Sequence, residues 1–158
     1  MNPLNGPLET GIRVLMVLTA AFPERLDLNQ LVLLDHGLLH SADLGGPPSL
    51  HPPVPIRASA LGVRREAIEY GLDVIIRAQL AHVGLGADGI EYWAGERADG
   101  FIGLLDSKYA GALHERAGWV VDRYRGLDDS ALRRELSAAA QHWAEEFDYP
   151  AISPEATG

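Results

Sequence analysis

The chain has 158 residues, 47% of them apolar, and a formal net charge of −9 from 13 basic and 22 acidic side chains. This apolar fraction excludes a wholly disordered chain, and the length fits one domain or one domain with an appendage. The negative charge opposes DNA binding by the chain as a whole, because phosphate contacts supply most of the affinity of a nucleic-acid binder.

The chain contains no cysteine, which excludes disulfides, thiol nucleophiles and thiolate zinc sites. No basic region followed by a long apolar run opens the sequence, so we predict no signal peptide. The longest clean apolar run, Val14 to Leu18, is too short to span a bilayer. We therefore expect a soluble, cytoplasmic protein.

The first helix is signalled by Asn5 or Gly6 as its cap and Pro7 at its first helical position. Apolar residues cover nearly its whole circumference as far as Phe22, and Pro23 ends it. Such a helix is typically buried on more than one side.

A capping box formed by Asp27 and Gln30 predicts a second helix that runs to about Ser41. The glycines and prolines of residues 45–48 then break the chain. The proline-rich residues 49–55 favour an extended or turn-like connector.

The clearest amphipathic pattern predicts a third helix from about Ser59 to Leu80. Two β-prone runs, residues 82–85 and 90–94, follow it and flank a short loop with Asp88-Gly89, which indicates a hairpin.

Two more helices are predicted, one over residues 99–124 with a break near Ser107 and one from Asp128 or Asp129 to Phe147. The fold class is therefore mainly α with a small β-hairpin. Three helices followed by a hairpin is the order of a winged helix-turn-helix. We assign residues 6–96 to a winged-helix core, 97–147 to a C-terminal helical extension and 148–158 to a flexible tail.

The order of motifs resembles the middle components of ABC-three-component systems, bacterial gene triads related to Lamassu-type defence. The resemblance spans about residues 6–146, and its weight lies in the co-occurrence of several short segments. These segments are Pro7-Leu8-Glu9-Thr10-Gly11 with Arg13, the helix Leu28–Leu34, His40-Ser41-Ala42-Asp43, Gly46-Pro47, Ser49-Leu50-His51-Pro52, Val63-Arg64-Arg65-Glu66, Asp88-Gly89-Ile90 with Tyr92, and Tyr109 to Asp122.

The resemblance implies an adaptor with a winged-helix core, standing between an SMC- or RecN-like ABC ATPase and an effector in defence against phages or plasmids. One position departs from the winged-helix pattern. Such proteins often place glycine just before the Leu that enters the hairpin, whereas Gln79 precedes Leu80 here. The end of the third helix is therefore open.

A cluster of polar residues precedes the connector. His36 and His40 are four apart and share one helix face, so they could bind zinc with Asp43 and His51. We favour a structural role or a partner contact for His40, Ser41, Asp43 and His51, because side-chain donors and caps can satisfy an irregular, proline-rich backbone. We expect no metal and no other cofactor.

Catalytic motifs are missing from the sequence, which has no Gly-x-Ser-x-Gly, no Walker A loop and no His-Glu-x-x-His. We therefore predict that the protein is not an enzyme. A metal-dependent enzyme built on His36, His40, Asp43 and His51 is the weakest of three functional hypotheses.

Arg57, Arg64 and Arg65 lie at the start of the third helix, where a recognition helix meets DNA. They are our candidates for contacts with a partner or with nucleic acid. Alternatively, they pair with the acidic residues of the same helix, Glu66, Glu69 and Asp73. Since residues 53–80 hold four arginines and three acids, we favour protein docking over direct DNA contact.

Leu4, Val14, Val17 and the C-terminal helices suggest more apolar surface than one small core needs, which favours a homodimer or a hetero-oligomer. The alternative is that the last two helices fold back over the first. The leading hypothesis for function is a non-catalytic adaptor of an ABC-ATPase defence system, and the runner-up is a winged-helix DNA-binding regulator.

Overall fold

The computed structural model describes residues 6–51, 58–87 and 89–125, together with positions 128, 130, 131, 134 and 137. The described part is mainly helical with one antiparallel hairpin, which confirms the predicted fold class at this level. In chain order its elements are α1 (Pro7–Ala21), α2 (Leu28–Leu39), a short 3-10 helix (Ser41–Leu44), α3 (Ala58–Arg77), β1 (Ala81–Gly86), β2 (Gly89–Ala94), α4 (Ala98–Gly103) and α5 (Lys108–Tyr124). None of the helices in these ranges is long and apolar enough to cross a membrane.

The capping box predicted for α2 is present, and Ser107, where the sequence predicted a break, is the N-cap of α5. The Gln30 amide donates to Asp27 Oδ1 at 2.8 Å and the Asp27 amide donates to Gln30 Oε1 at 2.9 Å, which completes the capping box of α2. Ser107 accepts a hydrogen bond from the Ala110 amide at 3.0 Å and so begins α5. The predicted helix over residues 99–124 is therefore two helices, α4 and α5, divided just before this cap.

The hairpin pairs β1 with β2 from Ala81↔Ala94 at its base to Gly86↔Gly89 at its tip. Gly89 has a φ of 129°, a backbone conformation that favours glycine. A further extended segment joins the hairpin through Leu26, which lies between α1 and α2 and forms an isolated antiparallel bridge with Tyr92.

Helix α1 is the centre of the core, with α3 and α5 packed against it. Val14 and Val17, which the sequence analysis counted as surplus apolar surface, are 0% and 1% exposed within the single chain. They therefore leave nothing for a partner to cover, and α5 folds back over α1 and α2. Leu4 lies outside the described residues.

Two glycines bring α1 and α3 together. A Cβ on Gly71 would lie 2.8 Å from the Gly11 nitrogen, and a Cβ on Gly11 would lie 2.8 Å from the Gly71 carbonyl oxygen. Neither backbone can move away easily because each belongs to a helix. The close crossing therefore depends on glycine, which has no Cβ, at both positions.

The end of α3 explains the departure at Gln79. This residue has a φ of 64°, the left-handed conformation for which glycine is best suited, and Leu80 behind it is buried. The backbone geometry expected of a glycine is thus present, and Gln79 adopts it.

Only a few positions of the predicted last helix are described. Among them, the Ala131 amide donates a cap-like hydrogen bond to Asp128 Oδ1 at 2.8 Å. The predicted tail, residues 148–158, lies outside the described residues.

Candidate partner-binding surface

A buried ionic network joins α1, α2 and α3 beneath the predicted site. Arg13 Nε donates to Asp35 Oδ1 at 2.8 Å, and Arg64 Nη1 donates to Asp35 Oδ2 at 2.8 Å. Asp35 is 0% and Arg13 4% exposed, whereas Arg64 lies at the edge of the network with its side chain 22% exposed. One carboxylate thus holds two guanidinium groups, which leaves one positive charge in excess.

The charges in this network remain ionised. Burial alone would raise the pKa of Asp35, but the attraction and hydrogen bonds of Arg13 and then Arg64 outweigh it and hold that pKa below its ordinary value. Burial likewise works against the charge on Arg13, yet Asp35 raises its pKa above the usual value. The network is therefore a permanent arrangement of charges near neutral pH.

Three histidines line up beside this network, as their spacing suggested. The rings of His36 and His40 are 4.8 Å apart between centroids, and the rings of His40 and His51 are 6.2 Å apart. His51 continues the row to α5, where its Nε2 lies 2.9 Å from the hydroxyl of Tyr109. The row thus runs from α2 through the connector to α5, where His51 contacts Tyr109.

Burial and the neighbouring positive charges keep these histidines neutral. Burial, followed by repulsion from His40 and Arg64, lowers the pKa of His36 to about 3. Burial and Arg64 lower the pKa of His40 to about 4, and burial also lowers the pKa of His51. The row is therefore uncharged near neutral pH.

A metal ion would find an unfavourable setting here. Among the described residues, no group of three or more His, Asp or Glu side chains has an arrangement that could hold one. The side chain of Asp43, the fourth candidate ligand, lies outside the described structure. Since Arg13 and Arg64 add positive charge next to the imidazoles, they oppose a divalent cation. That this is not a metal site stays a prediction.

The first part of the connector is fastened to its surroundings by hydrogen bonds. Ser41 Oγ donates to the Pro47 carbonyl at 2.9 Å, and the amides of Leu50 and His51 donate to the Leu39 carbonyl at 3.0 and 3.2 Å. Arg116 of α5 adds two donors to the Pro48 carbonyl, at 2.8 and 3.2 Å.

Close packing fastens the same part of the connector at Gly46. A Cβ there would lie 2.2 Å from the ring of Trp119 on α5, so this contact requires glycine. The described part of the connector is therefore held in place by α2 and α5.

The three candidate arginines have different surroundings. Arg64 is paired with Asp35 on α2, a partner that the sequence analysis did not consider. Arg65 is exposed and contacts the side-chain oxygen of Asn29 on α2. Arg57 lies outside the described residues. Of the three, Arg65 is the one that the structure places on the surface.

The exposed face of α3 carries three carboxylates, together with the exposed guanidinium groups of Arg65 and Arg77. Glu66, Glu69 and Asp73 follow one another at helical spacing and all three are exposed. Asp73 holds Arg77 in an exposed ion pair, with Arg77 Nε 3.1 Å from its Oδ2. We call these three carboxylates the acidic ridge. It opposes a phosphate backbone along this side of the helix.

The hairpin has one aliphatic face. Leu85 and Ile90 are directly opposed, and Val83 lies two residues before Leu85 on the same side of the strand. Their exposed fractions are 83%, 54% and 46%. Since Ala81 and Ala94, on the same side at the base, are buried, the aliphatic face continues outward from the core. We call Val83, Leu85 and Ile90 the hairpin patch.

The opposite face of the hairpin borders an open cleft of about 960 Å³ between the ends of α1 and α3 and the start of α4. The lining combines aromatic rings with charged groups, and includes Phe22, His82, Trp93 and Arg97. Phe22 is 59% exposed, and the guanidinium of Arg25 lies 3.8 Å from the centre of a Trp93 ring. The hairpin thus exposes the hairpin patch on one face and borders a cleft with aromatic and charged groups on the other.

Sequence reasoning missed the ionic network. Arg13 and Asp35 were visible as charged residues within the most apolar stretches of α1 and α2, and a charge at a core position needs a partner of opposite sign. That signal could have found the pair. It could not have identified Arg64 as the third member, because the path of the connector decides which residue of α3 reaches Asp35.

Comparison with known proteins identifies a family match. The comparisons with curated proteins and with solved structures found none. The sequence model of the family described as ABC-three component (ABC-3C) system Middle Component 2 matches residues 3–146. This range covers all three helices of the ionic network, the connector, the hairpin and α5, so the chain belongs to the ABC-three-component Middle Component 2 family.

Proposed function

We propose that this protein is a non-catalytic adaptor that links an SMC- or RecN-like ABC ATPase to an effector in a Lamassu-related bacterial defence system against phages or plasmids. Membership of a middle-component family supports partners within a multi-component system. The nature of those partners and the defence role are part of the proposal.

The observation that carries the proposal is the chemistry of the exposed surface around α3 and the hairpin. The hairpin patch is aliphatic, and the acidic ridge lies on α3, the helix that would read DNA in a winged-helix regulator. An aliphatic patch beside carboxylates suits a protein partner better than a phosphate backbone.

A winged-helix core is part of this proposal. The order α1, α2, α3 and hairpin supports it, and so does the bridge from Leu26 to Tyr92, which adds an extended segment to the hairpin from the link between α1 and α2. The same fold serves both DNA-binding and protein-docking modules, so the surface decides between them.

The second candidate is a DNA-binding regulator, and exposed Arg65 near the start of α3 is the observation that favours it. Arg64 is a poor probe of DNA binding, because it pairs with buried Asp35 and its loss would disturb the core. Arg65→Glu is therefore the variant to use. A salt-sensitive shift of promoter DNA that this variant abolishes would favour the regulator.

Co-expression with the products of the neighbouring genes tests the adaptor role. We expect the chain to co-purify with both products, and size exclusion with mass measurement to give a defined stoichiometry. A chain that elutes alone while the other two associate without it would contradict the proposal.

A further inference from the structure

In the part of the chain that the structure describes, no segment pairs with the outer edge of β1. Leu26 and Tyr92 exchange both backbone hydrogen bonds, at 3.0 and 2.8 Å, so the polar backbone groups of Tyr92 point away from β1. Val83 is directly opposite Tyr92. In an antiparallel ladder the backbone groups of Val83 must therefore point away from β2, and those of Leu85 do the same two residues later.

No third strand covers this edge within the described ranges, where the sheet consists of β1 and β2. The side chains of Val83 and Leu85 also belong to the hairpin patch. An incoming strand would thus find backbone donors and acceptors along the edge and, on one side, an aliphatic surface for every second side chain. Specific affinity requires both features together.

The charge next to the patch defines the occupant. Glu69 of the acidic ridge lies on α3, which packs against β1. Its carboxylate, after burial, raises the pKa of Tyr92, which is directly opposite Val83 of the hairpin patch. A second copy of the chain would bring a second ridge and a net charge of −9. The chain's own C-terminal residues from 138 onwards contain Glu145, Glu146, Asp148 and Glu155 and no lysine or arginine. Both are repelled, whereas a basic segment is attracted.

We propose that an extended segment of another component of the system adds to the outer edge of β1 as a further strand. Its aliphatic side chains, at alternate positions, cover Val83, Leu85 and Ile90, and its lysines or arginines face the acidic ridge. This inference rests on the adaptor role proposed above. It specifies how the adaptor holds one of its partners.

The test is a pull-down of the co-expressed complex with two kinds of variant. Val83→Pro removes a backbone donor that points outward, which an edge strand tolerates, and also replaces one aliphatic side chain of the patch. Leu85→Asp places a charge in the patch. Leu104→Asp is the matched control, since Leu104, the residue after α4, is 78% exposed and Leu85 is 83% exposed. We expect both hairpin variants to weaken capture of one partner by about tenfold or more, and the control to leave it unchanged.

Charge provides an independent measurement. Glu69→Lys should weaken the same interaction and reduce its dependence on salt, because it removes an attraction to a basic segment. Amide hydrogen exchange at Val83 and Leu85 should be fast in the isolated chain and about tenfold slower or more in the complex.

The outcomes separate this inference from the proposed function. If the unmodified chain captures no partner, the adaptor role fails and the strand addition fails with it. If it captures its partners and both hairpin variants do so equally well, only the strand addition is overturned. Slow exchange of the Val83 and Leu85 amides in an isolated monomer, or a dimer that Val83→Pro dissolves, would also overturn it.

Discussion

Arg13 and Asp35 form an ion pair in the centre of the protein, with Arg13 Nε 2.8 Å from Asp35 Oδ1 and both side chains almost entirely withdrawn from water. Each belongs to a helix whose buried side chains are mainly apolar. Taking both charges out of water is costly, so the pair remains favourable only while each charge has its partner.

Replacement of Asp35 by asparagine should destabilise the protein strongly. The guanidinium of Arg13 would stay buried without its counter-charge, and we expect a loss of about 3–5 kcal/mol in the free energy of unfolding. Urea denaturation measures it. Asp73→Asn is the control, because it breaks an exposed i,i+4 pair with Arg77 and should cost less than about 0.5 kcal/mol. Equal losses in the two variants would contradict the role assigned to Asp35.

The buried histidines should make stability depend on pH below neutrality. In the unfolded chain His36 and His40 take up protons from about pH 6.5 downward, but in the folded protein only near their lowered pKa values of about 3 and about 4. The stability that the folded protein has while both histidines are neutral in either state is therefore complete above pH 6.5. It is lost as the pH falls towards 4. In this range each histidine should lower the free energy of unfolding by about 1.4 kcal/mol per pH unit.

Asp35 adds to the loss only at lower pH. Its pKa in the folded protein lies below the ordinary 3.8, so its contribution is present above that pH and is lost as the pH falls further. Unfolding by urea at several pH values measures the slope, which His36→Gln should reduce. His114→Gln, at an exposed position of α5, is the control. An unchanged slope in His36→Gln would show that His36 is not held neutral.

The crossing of α1 and α3 should not tolerate a methyl group. In Gly71→Ala the new Cβ would meet the Gly11 nitrogen at 2.8 Å, and we expect a loss of about 1–3 kcal/mol as the helices separate. The matched control is Gly111→Ala in α5, where a Cβ meets nothing within 4 Å. That variant should gain about 0.5–1 kcal/mol from better helix propensity. Thermal unfolding distinguishes the two signs.

Glycine at position 79 should stabilise the fold. Gln79 has a φ of 64°, a conformation that costs a residue with a Cβ about 1 kcal/mol and costs glycine little. Gln79→Gly should therefore raise the free energy of unfolding by up to about 1 kcal/mol, less the entropy that glycine adds to the unfolded chain. Gln79→Ala keeps the Cβ and should bring no gain, so a gain in both variants would point to the side chain instead.

Protein purified without added metal should contain no stoichiometric zinc or manganese. The three imidazoles lie close to Arg13 and Arg64, whose charges oppose a divalent ion. Elemental analysis by mass spectrometry measures the content. One equivalent of metal that His40→Ala removes would contradict this expectation and revive the hypothesis of a metal-dependent enzyme.

Local signals in the sequence were sufficient for the elements of the fold. The capping box at Asp27, the serine before α5 and the Asp-Gly of the hairpin each act on neighbouring backbone, so their effects can be read from a few residues. The fold class and the grouping of His36 with His40 follow from such signals and from helical spacing, whereas the place of His51 beside them depends on the path of the connector.

Tertiary relationships were the part that the sequence could not supply. Arg64 was considered for pairing with acids of its own helix, but Asp35 is 29 residues away in sequence and becomes its partner because α2 and α3 pack together. Val14 and Val17 were taken for surplus surface because a helix that is apolar all round can be covered by a partner or by its own chain. Only the position of α5 against α1 decides between the two.

The central place of α1 also has a consequence for synthesis on the ribosome. Its apolar side chains are covered by α3 and by α5, and α5 begins only at Lys108. At about 5–20 residues per second, the nascent chain waits roughly 5–20 seconds before the last of that cover leaves the ribosome. Newly made α1 therefore exposes its apolar side chains to solvent or to a chaperone for that time.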